Sequence, residues 1–81
     1  MSLYPNPIGL DQELQVRFFA KEATAEFVII DMHSRPVLQI KQDLNTTGWN
    51  TMSIDITSLA AGTYILMDKD GNSMNFIVAA E

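Results

Sequence analysis

The sequence predicts an all-β domain, built as a small antiparallel sandwich of six to seven short strands. Three observations predict this class. Segments in which apolar and polar residues alternate recur at intervals of about ten residues, as half-buried strands do. Short clusters of turn-forming residues separate these segments. The 3.6-residue period of an amphipathic helix is hard to find anywhere in the chain.

The first three strands are predicted in the N-terminal half of the chain. Glu13 to Phe18 alternates polar and apolar residues, which indicates a strand with one buried face. Ala25 to Met32 contains an unbroken apolar run, so we expect a central strand covered on both faces. The β-branched residues of that run favour a strand over a short buried helix. Val37 to Gln42, directly after Pro36, supplies the third strand.

Three further strands and the turns between them complete the predicted sandwich. The strands are expected at residues 51–56, 63–67 and 73–78. The turns are polar or contain glycine, and they lie at residues 33–36, 45–48 and 69–72. The last turn holds Asp70-Gly71, and an Asp-Gly pair between two strands is the strongest short hairpin signal.

The stretch from Leu59 to Tyr64 has the layout of a tyrosine corner. In such a corner the ring packs in the core and its hydroxyl bonds a backbone group a few residues upstream, here near Leu59. Gly62 supplies the bend between them. The corner favours an immunoglobulin-like or fibronectin-like arrangement of the strands, although an ordinary core tyrosine after a turn has the same sequence.

Composition limits the classes of function. The 81 residues correspond to one domain, and a hydrophobic content of 47% argues against disorder. The net charge of -5 disfavours nucleic acid and anionic membrane surfaces as partners. No apolar stretch reaches the ~20 residues of a membrane span, so membrane insertion is not expected. The absence of cysteine excludes disulfides and thiolate metal sites.

The N-terminal segment Tyr4-Pro5-Asn6-Pro7 predicts a stiff, extended lead-in to the first strand. Each proline fixes its own φ, removes one N–H and biases the residue before it toward extended geometry. We therefore expect the domain to start here, at a junction, and to span residues 4–78. Residues 1–3 are interpreted as a linker end or cloning remnant, and residues 79–81 as a tail that includes tag residues.

Several of these stretches, taken in order, resemble one known family. They are Tyr4-Pro5-Asn6-Pro7, the strand that ends at Asp31, then Arg35 and Val37, then Ile54-Asp55-Ile56-Thr57-Ser58-Leu59, Gly62-Thr63-Tyr64, Gly71 and Phe76-Ile77-Val78. Their order and spacing are similar to those of the C-terminal sorting domains of the type IX (Por) secretion system of Bacteroidetes. The motif residues that carry the resemblance are Tyr4, Pro5, Asn6, Pro7, Asp31, Arg35, Val37, Asp55, Leu59, Gly62, Tyr64 and Gly71.

The resemblance implies a non-catalytic address label at the C-terminus of a larger secreted protein, for which a hydrolase or an adhesin is expected. It implies that the cargo lies N-terminal in the same chain and that translocon components and a sorting peptidase are the partners. The route leads through the periplasm to the cell surface or the medium. No cofactor is implied. The segment at residues 4–7 would then mark the seam between cargo and label and hold the two apart.

Two departures from the family pattern concern a turn and the end of the chain. Ser34 stands where the family usually has glycine, so this turn either avoids positive φ or is strained. The family usually has one or two basic residues after the last strand, whereas this sequence continues as Ala79-Ala80-Glu81. Either a native ending has been trimmed or export is affected.

No catalytic or metal site is expected. Asp31 and Asp55 are the carboxylates to consider for glycoside hydrolysis, but a small sandwich offers little cleft to shift their pKa values. Residues 68–72, Asp-Lys-Asp-Gly-Asn, carry spaced oxygen atoms like half of a calcium loop, yet a plain hairpin turn is the simpler interpretation. His33 is the single histidine and is expected in a solvated turn, and no G-x-S-x-G motif is present.

Trp49 supports a second hypothesis. Ordinary packing in the core or at a sheet edge accounts for it. An exposed ring could instead stack on a sugar, in a carbohydrate-binding or fibronectin-like accessory module of a secreted polysaccharide-degrading enzyme. Phe19 and Tyr4 are the other candidate aromatics, and they are scattered in the sequence. An intracellular interaction domain is a third class.

Overall fold

A computed structural model describes residues 1–9 and 12–79, and these residues form eight β-strands. The strands are β1 (Ser2–Tyr4), β2 (Ile8–Gly9), β3 (Glu13–Ala20), β4 (Thr24–Ile30), β5 (Pro36–Asp43), β6 (Gly48–Asp55), β7 (Gly62–Asp68) and β8 (Ser73–Ala79). The described residues contain no helix, and thus none that is long and apolar enough to cross a membrane. Residues 80 and 81 of the predicted tail lie outside the described residues.

The strands form two sheets that share one core, which confirms the predicted all-β sandwich. One sheet has the order β1-β3-β6 and the other has the order β2-β8-β7-β4-β5. Every pairing is antiparallel except that of β2 with β8. Alternate side chains of both sheets point inward. Phe18 of one sheet meets Phe27 of the other edge to face, with ring centroids 5.1 Å apart.

The six strands predicted from the hydrophobic patterns and turn residues are present as β3 to β8, with ends shifted by three residues or fewer. The total of eight strands exceeds the predicted six to seven because the N-terminal segment adds β1 and β2. Because Pro5 and Pro7 disfavour strands, the sequence predicts neither β1 nor β2. Both prolines lie in the bend between β1 and β2, so neither strand loses a ladder N–H to proline.

The strand β4 is central in its sheet but is fully covered on one face only. Ala25, Phe27 and Ile29 are buried, whereas Val28 and Ile30 on the other face are half-buried. The expectation of a strand covered on both faces is therefore wrong for the outer face. An unbroken apolar run does not reveal this difference, because among the described residues no third layer packs on the outside of this sheet.

The N-terminal segment carries the chain from one sheet to the other. β1 pairs with β3, the chain bends over residues 5–7, where both X-Pro peptide bonds are cis, and β2 then pairs with β8. The segment thus joins the two layers instead of leading in as one extended piece. β1 also includes residues before the expected domain start at Tyr4, and Leu3 among them packs against the core.

Candidate recognition surface

Asn6 fastens the N-terminal segment to the last strand. Its Oδ1 accepts a hydrogen bond of 3.0 Å from the Ile77 N–H, and its Nδ2 donates one to the Asn75 carbonyl at 3.5 Å. These two bonds resemble the backbone hydrogen bonds between β2 and β8, whose pairing begins two residues later at Ile8. Since the prolines on either side of Asn6 have no N–H, the side-chain amide supplies a donor that the neighbouring backbone lacks.

Asp31 closes the turn between β4 and β5 with its carboxylate. Oδ1 accepts hydrogen bonds from the N–H groups of His33 and Arg35 at 2.8 and 3.0 Å, and Oδ2 accepts one from Arg35 Nε at 3.2 Å. The Arg35 N–H, and after it the His33 N–H and the Arg35 charge, hold the pKa of Asp31 below its ordinary value. Within this turn Ser34 has a φ of 62°, so the serine occupies the left-handed region that glycine tolerates best.

The turn between β7 and β8 repeats this geometry around Asp68. Oδ1 accepts bonds from the N–H groups of Asp70 and Asn72 at 2.9 and 2.8 Å, and Oδ2 accepts one from Asn72 Nδ2 at 2.9 Å. In both turns the aspartate N–H bonds the carbonyl four residues on. The third residue after the aspartate, Ser34 or Gly71, has a positive φ in both. Sequence reasoning missed this equivalence, although the spacing of the aspartate, the small residue and the side-chain donor could have revealed it.

Hydrogen bonds from side chains and backbone hold the connection between β6 and β7, including a bond of 2.9 Å from the Leu59 N–H to the Ile56 carbonyl. Asp55 Oδ1 accepts a bond of 2.9 Å from the Thr57 N–H, and this bond lowers the pKa of Asp55. Leu59 is buried in the core. The Tyr64 hydroxyl donates a 2.6 Å bond to the Ala60 carbonyl, which confirms the predicted tyrosine corner.

Strand register brings most of the motif residues to one end of the sandwich. β3 begins and β6 ends there, since Glu13 pairs with Asp55. β4 ends toward the same end, because it runs from Phe27, opposite the last residue of β7, to Ile30, opposite Ile65. We call this end the motif end; it holds Tyr4, Pro5, Asn6, Pro7, Asp31, Arg35, Val37, Asp55, Leu59, Gly62 and Tyr64. Gly71 lies at the opposite end, in the β7–β8 turn.

Several motif residues are exposed at the motif end, and Tyr4, Arg35 and Val37 carry the largest side chains among them; Asn6, Pro7 and Asp55 are exposed as well. Tyr4 is 50% exposed and Val37 is 39% exposed. The Arg35 side chain is 71% exposed, although it pairs with Asp31. Arg35 and Val37 flank the first residue of the edge strand β5, so a cation and an apolar group lie close together on the surface.

The family of the chain follows from a comparison with protein-family models. The model described as the secretion system C-terminal sorting domain matches residues 2–78. The chain belongs to this family of sorting domains. The sorting domain is thereby identified as a C-terminal signal for type IX secretion, whose protein is exported to the cell surface or secreted. Comparisons of the sorting domain with curated proteins and with solved structures gave no match.

The carboxylates that were considered for chemistry serve turns in the sorting domain. Asp31 and Asp55 each bind turn N–H groups, and their lowered pKa values are opposite to the raised pKa of a general acid in glycoside hydrolysis. In the hairpin at residues 68–72, both Asp68 oxygens accept hydrogen bonds from the turn itself. Within residues 1–9 and 12–79, no three His, Cys, Asp or Glu side chains are grouped to hold a metal ion.

Trp49 of the sorting domain lies 57% exposed on the outer face of the three-stranded sheet. Its ring meets that of Phe19 at 85° with centroids 5.6 Å apart, and Arg17 Cζ lies 4.6 Å from the Trp49 ring centroid. Tyr4 shares this face, because it pairs with Gln15 on the same side of β3. The fold therefore places the three aromatics on one face, with Tyr4 near the motif end and the Phe19–Trp49 pair toward the other end. Perpendicular rings and a guanidinium over the indole do not form the coplanar platform expected for stacking on a sugar.

Proposed function

We propose that this domain is the non-catalytic signal that directs a larger secreted protein, a hydrolase or an adhesin, across the outer membrane by type IX secretion. The observation that supports the proposal best is the family match over residues 2–78. The cargo precedes the domain in the same chain and passes through the periplasm. Components of the translocon and a sorting peptidase then act on the folded label.

The motif end is the surface that the translocon reads in this proposal. Asp31, Asp55 and Tyr64 are already engaged in hydrogen bonds within the domain, which suits residues that build the fold. Arg35 and Val37 are both exposed, and Arg35 keeps 71% of its side chain accessible to a partner although its Nε bonds Asp31 Oδ2. A cation next to an apolar side chain suits a partner surface that offers a carboxylate beside an apolar contact.

A secretion assay with a fluorescent reporter tests both parts of the proposal. The reporter carries a signal peptide, the 81-residue chain is fused to its C-terminus, and the host is a bacterium with a type IX system. We expect the wild-type fusion at the cell surface or in the medium. Arg35→Ala and Val37→Ala should leave the fusion in the periplasm, whereas Gln39→Ala and Lys41→Ala on the same strand should not.

Different outcomes of this assay would contradict the sorting function and the proposed recognition surface. Retention of a folded wild-type fusion in the periplasm would overturn the sorting function. Normal export of both Arg35→Ala and Val37→Ala, with a wild-type fusion that is also exported, would leave the sorting function intact and overturn the proposed surface. Circular dichroism of the purified variants verifies that each one is folded.

A further inference from the structure

The two sheets expose two long edge strands, and only one of them is protected against strand pairing. β5 begins at Pro36 and carries Lys41, and its pairing with β4 is irregular between Ile29 and Ile30. Such features obstruct the addition of another strand. β6 contains no proline, lysine or arginine, and it pairs with β3 through eight unbroken residue pairs. Among the described residues, no strand covers its other side.

The charges on the outer face beside β6 are poorly matched within one copy. Glu13 and Asp55 lie directly opposite each other, and like charges in this arrangement repel. Arg17 lies over the Trp49 ring and takes part in no ion pair among the described residues. Four residues of extended strand, about 13 Å, separate Arg17 from Glu13, so the cation does not neutralise the two acids.

We propose that the open edge of β6 docks the β6 strand of a second copy of this chain, as an antiparallel pair about a two-fold axis. With Met52 opposite its own counterpart, Asp55 of one copy lies opposite Trp49 of the other. Side chains in opposite positions have Cβ atoms about 5 Å apart, and Arg17 already lies over the Trp49 ring. The Asp55 carboxylate therefore reaches the Arg17 guanidinium of the second copy, and the axis repeats this contact.

A second copy of the chain is the partner because two β6 strands have complementary charges when they pair antiparallel. The acids lie beside one end of the strand, and the Arg17–Trp49 pair lies beside the other end. An antiparallel copy brings each end next to its opposite. Trp and Arg are also the residue types that concentrate binding energy at interfaces. The two-fold contact pairs the open β6 edge of each copy, so assembly stops at a dimer with a continuous six-stranded sheet.

Sedimentation velocity of the 81-residue chain over a wide range of concentrations tests the proposal. We expect the mass to rise from one copy to two as the concentration increases. Thr51→Lys places a cation in the middle of the β6 edge and should weaken association by about tenfold or more. Gln39→Lys, on the protected edge strand β5, is the matched control and should leave association unchanged. A chain that stays monomeric throughout, or a dimer that Thr51→Lys does not weaken, would overturn the proposal.

A charge exchange between copies tests the pairing register. Arg17→Asp and Asp55→Lys should each weaken the dimer when alone, since each variant loses both ion pairs. An equal mixture should regain association, because each mutated side chain meets its new complement in the mixed dimer. Absence of recovery in a mixture of two folded variants would overturn this register. Asp55 also closes a turn; should Asp55→Lys not fold, Thr51→Lys still decides the edge, because Thr51 lies away from that turn.

Discussion

The Tyr64 hydroxyl donates a 2.6 Å hydrogen bond to the Ala60 carbonyl, four residues upstream, and so fixes the conformation of the connection between β6 and β7. These two strands belong to different sheets. The Tyr64 ring is 8% exposed and stacks on Phe76 with centroids 5.7 Å apart. One side chain thereby fixes both the core packing and the path of the chain from one layer to the other.

Tyr64→Phe should lower the free energy of unfolding by about 1 kcal/mol or more. The ring remains, but the Ala60 carbonyl loses its partner in a half-buried place. Urea denaturation measures the loss. Tyr4→Phe is the matched control, since Tyr4 is half exposed and should change stability little. Equal effects of the two substitutions would show that the corner contributes nothing specific.

Ser34→Gly should raise the free energy of unfolding by about 1 kcal/mol. Ser34 has a φ of 62°, where a Cβ atom is strained and glycine is not. Ser58→Gly is the control: Ser58 also lies in an exposed turn but does not have a positive φ, so glycine there should stabilise nothing. Thermal or urea unfolding compares them. A loss of stability in Ser34→Gly would contradict the strain argument.

Asn6→Ala should loosen the attachment of the N-terminal segment to β8. The Ile77 N–H loses its acceptor, and we expect a destabilisation of about 1 kcal/mol. Hydrogen exchange gives a local measurement, because the Ile77 amide should exchange faster in the variant. The amide of Leu66, in the middle of the same sheet, serves as an internal reference. If Ile77 retains its protection relative to Leu66, the Asn6 bond does not hold the segment.

Stability should fall in acid because of Asp31 and Asp55. Their pKa values in the folded domain lie below the ordinary value of 3.8, since turn N–H groups favour the charged carboxylates. A lowered folded pKa means that the stabilisation is complete above the unfolded pKa and is lost as the pH falls through the folded pKa. Urea midpoints from neutral pH to about pH 2 record this fall.

Asp31→Asn separates the charge from the turn geometry in the same titration. The amide oxygen of asparagine can still accept the His33 and Arg35 N–H groups, but it does not titrate in this range. The acid-induced fall should therefore be shallower in the variant. An identical fall would mean that Asp31 is not one of the groups responsible.

Ile54→Ala should cost about 2–5 kcal/mol, because Ile54 is 3% exposed and its removal leaves a cavity between the sheets. A domain of this size can unfold after such a loss. Thr51→Ala, on the exposed face of the same strand, should stay within about 0.5 kcal/mol of the wild type. Comparable midpoints for the two variants would contradict the assignment of Ile54 to the core.

The sequence alone determined the local features of this domain. Hydrophobic patterns and turn residues located β3 to β8, and the spacing of Gly62 and Tyr64 located the corner, because these signals involve residues that are close together in the chain. The ordered motifs also identified the family that the comparison then confirmed. The equivalence of the Asp31 and Asp68 turns was present in the sequence too, although it became evident only from the hydrogen bonds.

Only the tertiary structure decided which distant residues meet. The pairing of β2 with β8, the bond between Asn6 and Ile77, and the shared face of Tyr4, Phe19 and Trp49 all join segments that are far apart in the chain. It also decided which long strand keeps an open edge. Local patterns specify a strand and its inward face, but its neighbours depend on how the whole chain closes the core, and that choice is made over long sequence separations.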